Sequence, residues 1–393
     1  VKDSPLPLPP LSLYVHIPWC VRKCPYCDFN SHTAAQALPE AAYVAALRAD
    51  LERELRWAQG RPLQSLFFGG GTPSLFSARA IGEVLDAAAR DIGFAENVEI
   101  TLEANPGTAE MARFRDYRAA GVNRLSIGVQ SFAERSLAAL GRIHSGAEAI
   151  KAVEMARKAG FERLNLDLMH GLPGQTEAEA VADLEQAITL DPGHISWYQL
   201  TIEPNTEFYR RRPVLPAEPV IDAIGEAGAA LLSAKGYAQY EVSAYARPGR
   251  ASRHNRNYWE FGDYIGIGAG AHGKLTDSGS HRILRTRKIR QPRGYLASAD
   301  PCAASSAIAA AELPLEFLMN ALRLNAGVPV PYFSQRTGLA CEVLERPWAV
   351  LADRGLLEPL AGGRMKATPL GHRFLDTVLA CWPDGGRLTV EQG

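Results

Sequence analysis

Apolar residues fall in short runs along the first two thirds of the chain, and stretches of helical period separate them. The run at 12–17 (SLYVHI) predicts a first strand, and 40–59 (EAAYVAALRADLERELRWAQ) predicts a helix by composition and period. The same alternation continues five times. Strands are predicted at 64–68, 97–104, 123–130, 162–169 and 194–202, and helices near 77–91, 108–120, 146–159, 176–190 and 218–235. Repeated βα units imply a parallel sheet with helices outside it. Six units fall short of the eight that close a full barrel. The pattern fits an α/β fold, either an open three-quarter (β/α)6 barrel or a doubly wound sheet. In both, loops after the strand C-termini build the site.

After about 235 the pattern changes to a stretch rich in aromatic residues and glycine. From about 300, an alanine-rich segment leads to LPLEFLMNALRL and further helical periods. The segment ADRGLLEPLAGGRMKATPLG reads as a short β-wing after helices. The organisation expected is therefore an extended, proline-rich leader (1–10), a barrel carrying the site (11–290), and a small, mostly helical, winged-helix-like C-terminal domain (300–393). No internal repeat beyond the βα alternation is present.

The 393 residues are 47% hydrophobic and 22% charged, with a formal net charge of −1. Such a chain has a large core and lacks the excess positive charge of a strongly basic nucleic-acid binder. No apolar run is long enough to span a membrane, and the start lacks the apolar core of a signal peptide. The expected location is cytoplasmic, where clustered thiols favour metal over disulfide.

Three of the six cysteines, Cys20, Cys24 and Cys27, form a C-x3-C-x2-C pattern in CVRKCPYCDF, directly after the first strand. Cys302, Cys341 and Cys381 are scattered and read as buried small apolar residues. Thiolates suit zinc or an iron–sulfur cluster. Zinc normally needs four protein ligands, for which His16 or His32 is available as the fourth. A four-iron cluster is usually held by four cysteines, so three leave one iron open to a ligand.

FFGGGTPSLF (67–76) follows the second strand. Its glycines permit close approach of backbone to a ligand, and a tight turn accounts for them equally well. Glu103, Gln130 and Asp167 lie at or near strand ends, and Arg142 follows the fourth strand. One such residue reads as a satisfied core hydrogen bond. Several at corresponding strand ends suggest one shared polar pocket.

The cysteine spacing after a first strand, with Tyr26 just before the last cysteine, resembles the radical S-adenosylmethionine (SAM) superfamily. The resemblance implies Cys20, Cys24 and Cys27 as ligands of a [4Fe–4S] cluster whose free iron chelates SAM. It also implies a SAM-binding set of Tyr14, Tyr26, Gly70, Gly71, Thr72, Glu103, Gln130, Arg142 and Asp167.

YVHIPWC, GGGTPS, EANPG, LSIGVQSF, LGRIHS and DLMHGLPGQT occur in this order. Together they resemble the coproporphyrinogen-oxidase-like branch, over about residues 11–275. One arm of that branch, the HemN type, oxidatively decarboxylates coproporphyrinogen III. The other, the HemW type, binds heme and acts as a chaperone. HemN-type enzymes carry a longer N-terminal extension and a further cysteine two residues after the third. Here few residues precede Cys20, and Phe29 takes the cysteine's place. HNRNYW (254–259) matches the H-N-x-x-Y-W motif associated with HemW-type proteins and implies heme binding through His254, Asn255, Tyr258 and Trp259. A histidine can ligate heme iron and aromatics can pack on a porphyrin. The same segment also reads as an ordinary amphipathic helix, and Arg253 and Arg256 as solvated arginines. The function expected from the resemblance is heme binding and delivery, without coproporphyrinogen III dehydrogenase activity. Heme-accepting proteins, among them membrane respiratory enzymes, and an electron donor are the partners it implies. The alternative is the dehydrogenase itself.

Overall fold

A computed structural model describes residues 5–34, 37–107 and 111–382. Six strands run in the predicted order: β1 (Leu11–Ile17), β2 (Leu63–Gly70), β3 (Phe94–Ala104), β4 (Arg124–Gln130), β5 (Arg163–His170) and β6 (Gly193–Gln199). Each pairs in parallel with the next, so the sheet follows sequence order from β1 to β6. All of β1 except Tyr14 is buried, as expected of a strand covered on both faces. The α/β fold with an arc of six parallel strands is the architecture that the alternating pattern implied.

The covering helices are α1 (Glu40–Glu54), α2 (Ala78–Asp91), α3 (Phe114–Ala119), α4 (Gly146–Lys158), α5 (Glu177–Thr189) and α6 (Glu218–Ala234). Their starts are set locally. Ser77 caps α2, and Ser145 and Thr176 form capping boxes with Glu148 and Glu179. α1 ends earlier than predicted, because its last turn tightens into a 3₁₀ segment at Leu55–Trp57. The helix expected at 108–120 is regular only over α3; residues 108–110 lie outside the described residues.

The sheet does not stop at six strands. β7 (Ala238–Glu241) and β8 (Ala244–Ala246) extend it antiparallel beyond β6. On the other side, β9 (Asp263–Ile267) pairs in parallel with β1, and β10 (His272–Asp277), β11 (Arg282–Lys288) and β12 (Cys302–Ala307) follow antiparallel. The glycine-rich stretch after 235 thus contributes strands that its composition did not announce. Glycine is required at two of its positions: a Cβ on Gly266 would lie 1.9 Å from His272 O, and one on Gly268 2.3 Å from His16 O. β12 lies beyond residue 300 yet belongs to the large sheet.

Buried ion pairs fix this extension. Asp263 is fully buried and accepts from Lys274 Nζ at 2.9 Å and Arg61 Nη1 at 2.8 Å. Lys288 donates to Asp50 at 2.5 Å and Glu54 at 2.6 Å, joining β11 to α1. Removing one partner of such a pair strands a charge away from water, so each pair is a strong constraint on register.

A second core forms around Phe317, Phe333, Trp348 and Met365 in a mostly helical C-terminal region. Its helices include Leu313–Ala321, Pro331–Thr337 and Glu342–Asp353. Val328–Pro329 pairs antiparallel with Arg364–Met365, and Leu357 bridges to Ala367. Residues 383–393 of the expected domain lie outside the described residues. Leu6, from the proline-rich leader, is buried in this core, and its N–H donates to Ser278 O at 3.2 Å; residues 1–4 lie outside the described residues. One expectation is corrected. Cys302, Cys341 and Cys381 are only half-buried: Cys302 lies on the edge strand, and the other two pack at the margin of the second core.

Candidate functional site

The cysteine loop is pinched at its base. Trp19–Cys20 pairs in parallel with His32–Thr33, so the chain leaves and returns at one place. Within the loop, Cys27 N donates to Cys24 O at 3.2 Å, and Lys23 Nζ donates to the carbonyls of Phe29 and Ser31. Asn30 Nδ2 ties the loop to the Ala269 and Arg290 carbonyls, each at 2.9 Å. Cys20, Cys24 and Cys27 all line one cavity of about 500 Å³, together with Tyr26 and Phe29. Burial pushes the Cys20 thiol up to about 11 and raises Cys27 as well. Arg142 Nη1 lies 3.5 Å from Cys24 Sγ, so a guanidinium stands beside this sulfur.

The donor set fits a three-cysteine cluster better than zinc. His16, one expected fourth ligand, has both ring nitrogens engaged, with Tyr14 OH at 3.0 Å and Asn30 O at 2.9 Å. His32 keeps a buried Nε2 without a hydrogen-bond partner among the described residues, but it does not line the cavity. Among the described residues, no three His, Cys, Asp or Glu side chains converge on a single metal ion. The three cysteines do line one roomy cavity, and a multi-iron group takes its thiolates at separate irons rather than at one ion. Phe29, 62% exposed, stands at the position of the missing cysteine.

The glycine loop packs directly beneath these cysteines. A Cβ on Gly70, whose φ is +117°, would lie 2.7 Å from the His16 ring, and one on Gly71 would lie 2.5 Å from Trp19 O. Gly71 N donates to Ile17 O at 2.8 Å, and Thr72 N donates to Trp19 O at 2.7 Å. With these N–H groups committed, the loop can offer a ligand its carbonyl oxygens. Gly70, Gly71 and Thr72 all line the cavity.

Glu103, Gln130 and Asp167 meet there as well. Glu103 accepts from Gly70 N at 3.2 Å; burial, with the nearby Asp167, pushes its carboxyl up to about 8. Asp167 is raised by burial, against hydrogen bonds from Asn165 at 2.8 Å and Ser126 at 3.0 Å. Two half-buried carboxylates in one cavity favour a cationic ligand, since its charge would relieve both. SAM, with its sulfonium and ammonium groups, has that chemistry. Gln130 sits at φ +69°, a costly backbone for a residue with a side chain, and its Oε1 accepts from Tyr198 OH at 2.8 Å.

Two members of the expected SAM set do not line the cavity. Tyr14 bonds His16 and stacks near Phe67. Arg142 lies in the adjoining wall, donating to Asn105 Oδ1 and Gly128 O at 2.7 Å each. The cavity also gathers residues that the sequence reading missed: Asn105, Ser126, Ser196, Tyr198, Glu241 and Ser243. The period of two was the available signal. Ser126, Gly128 and Gln130 share one face of β4, and Ser196 and Tyr198 share one face of β6.

HNRNYW is a helix, α7 (Arg253–Trp259). Ser252 caps it by accepting from Asn255 N, and Glu99 Oε1 accepts from Arg253 N at 2.9 Å and His254 N at 3.2 Å. A carboxylate at this end also opposes the positive pole of the helix. The spacing splits the motif in two. Asn255 and Trp259, four apart, line the cavity. His254 and Tyr258, also four apart, form an edge-to-face pair at 4.5 Å. His254, expected to face a ligand, is only 2% exposed. Its ring stacks on Phe67 at 4.6 Å, and its Nδ1 lies 3.4 Å from Ser65 Oγ. Burial, with Arg124 nearby, drives its pKa down to about 3, so it is neutral. Along the helix, His254 is buried with Tyr258 packed against it, while Asn255 and Trp259 line the cavity.

Residues 14–187 match the radical SAM superfamily, and 308–374 match the HemN C-terminal domain. The chain is 54% identical to the heme chaperone HemW of Escherichia coli K12, over 95% of this chain and 98% of the relative. It is 52% identical to the heme chaperone HemW of Haemophilus influenzae, over 85% and 88% of the two chains. In structure it resembles E. coli coproporphyrinogen III oxidase (HemN), described as a radical SAM enzyme. That match has a TM-score of 0.79 and 23% identity, and covers 96% of this chain and 90% of the other. At that identity the likeness concerns the fold.

Proposed function

The chain belongs to the HemW family within the radical SAM superfamily, and from that premise we propose that it is a heme chaperone, binding heme and passing it to heme-dependent proteins. One observation carries the reading beyond kinship. The α7 motif presents Asn255 and Trp259 to the same cavity that holds Cys20, Cys24 and Cys27. The ring of Trp259 can pack on a porphyrin face, and Asn255 can hydrogen-bond at its edge. His254 is buried against Phe67, so it would have to leave that stack before its ring could ligate heme iron.

Cys20, Cys24 and Cys27 would hold a [4Fe–4S] cluster, which supplies an open iron position and a source of single electrons. Arg142 balances the charge of the thiolate at Cys24. Glu103 and Asp167 attract a cationic ligand, and the carbonyls of the glycine loop orient it. Phe29 covers the rim with an apolar ring where a fourth thiol would stand. Respiratory enzymes are the recipients this reading favours. Among the described residues no helix is long and apolar enough to cross a membrane, so a membrane-bound recipient would be met through protein contact.

Heme titration followed by Soret absorbance tests the reading. The unsubstituted protein takes up heme, and the Asn255→Ala/Trp259→Ala double variant loses most of that affinity while keeping its fold. Formation of protoporphyrinogen from coproporphyrinogen III by the reduced, SAM-supplied protein would overturn it.

A further inference from the structure

Trp259 stands in the cavity wall, and the group stacked on it comes from outside the barrel. Arg323 follows the helix Leu313–Ala321 of the C-terminal region. Its guanidinium carbon lies 4.2 Å from the centre of the Trp259 ring. The same guanidinium donates from Nη2 to Glu241 Oε2 at 3.1 Å. Glu241 is 3% exposed and also lines the cavity.

Main-chain contacts put Arg323 there. Leu324 forms an antiparallel bridge with Glu241, and Asn325 N donates to Tyr240 O at 3.0 Å. The C-terminal region thereby docks on the edge strand β7 and delivers the arginine beside α7. Trp259 Nε1 is buried and has no acceptor among the described residues, so no hydrogen bond from the indole fixes its orientation. A cation over an indole face is attracted by the ring quadrupole, most strongly where water is excluded. Arginine suits the place because it can stack and donate to a carboxylate at once.

We infer that Arg323 is a positioning residue for heme binding. Anchored by Glu241, it holds the Trp259 ring against the cavity and so couples docking of the C-terminal region to the ligand-facing wall. This role rests on the heme-chaperone reading. SAM would meet the cavity at Glu103 and Asp167, on other strands, so its binding is independent of Arg323.

The test is heme titration of the full-length, cluster-loaded protein, with SAM binding measured in parallel by equilibrium dialysis. Arg323→Met weakens heme binding about fivefold to tenfold, the size of one partly buried cation–π contact. Arg323→Lys, which keeps the cation but not the planar stack, recovers only part of that loss, and SAM affinity is unchanged in both. Wild-type heme affinity in Arg323→Met, with weakened binding in Trp259→Ala, overturns the proposal and leaves the chaperone reading intact. Failure of the unsubstituted protein to bind heme overturns both, and the first titration alone reveals it. Should Arg323→Met not fold, Arg323→Gln carries the test, because Arg323 does not line the cavity: weaker heme binding with unchanged SAM binding supports the role, and wild-type heme affinity overturns it.

Discussion

His254 stacks on Phe67 with ring centroids 4.6 Å apart, and this contact turns the first residue of HNRNYW into the core. Asn255, its neighbour, faces the cavity instead. The motif therefore has a buried half and a cavity-facing half, and substitutions should separate them. His254→Ala removes a buried ring and costs about 1–3 kcal/mol of stability, read as a lower melting temperature of the heme-free protein. Asn255→Ala leaves the melting temperature within error and weakens heme binding. Equal melting of all three proteins would contradict the division.

Cys20, Cys24 and Cys27 should be individually necessary for iron. Serine at any one lowers the iron content after anaerobic reconstitution from about four per chain to near zero. Cys302→Ser, Cys341→Ser and Cys381→Ser retain it, because none of these lines the cavity. Iron and sulfide analysis decides the matter, and a zinc-only protein would remove the cluster altogether.

Glu103 should make SAM binding depend on pH. Its carboxyl is pushed up to about 8 in the ligand-free protein, and a cationic ligand prefers the ionised form. Affinity then rises as pH climbs toward 8 and levels off above it, with a proton released on binding. Glu103→Gln flattens the profile and lowers the plateau. The same shift has a consequence for stability. A carboxyl whose folded pKa lies above its unfolded value binds more protons when folded, so its contribution declines between the ordinary glutamate range and pH 8. Thermal melts of wild type and Glu103→Gln across that window measure the difference.

Gly71→Ala should damage the site through the backbone. The added Cβ would lie 2.5 Å from Trp19 O, and main chain yields little. The expected cost is about 1–3 kcal/mol, with slower or incomplete cluster loading because Trp19–Cys20 is displaced. A variant that melts and loads like wild type would show that the loop has more room than its packing indicates.

Glu99→Ala should loosen α7 at its start. The carboxylate serves the N–H groups of Arg253 and His254 and pairs with Arg163 at 3.2 Å. Its loss orphans donors worth about 1–3 kcal/mol and weakens heme binding in proportion. Glu99→Gln, which keeps an acceptor oxygen, loses less. Hydrogen exchange at Arg253 and His254 locates the effect.

The sequence by itself determined the six βα units, the three-cysteine loop after β1 and the polar residues at strand ends. Those features are local: hydrophobic period sets the elements, and strand polarity puts the following loops at one mouth. Which side chains share the cavity was decided by tertiary structure. HNRNYW reads the same whichever face looks inward, and only the packing of His254 on Phe67 turns Asn255 and Trp259 to the cavity. β9 through β12 were equally hidden, because pairing with β1 across more than 240 residues, and buried pairs such as Lys288 with Asp50, leave no local periodicity. Glu241 and Arg323 belong to the same class. An aromatic wall backed by a cation from another region exists only once two distant segments meet, since burial and neighbouring charge, rather than spacing, give those residues their roles.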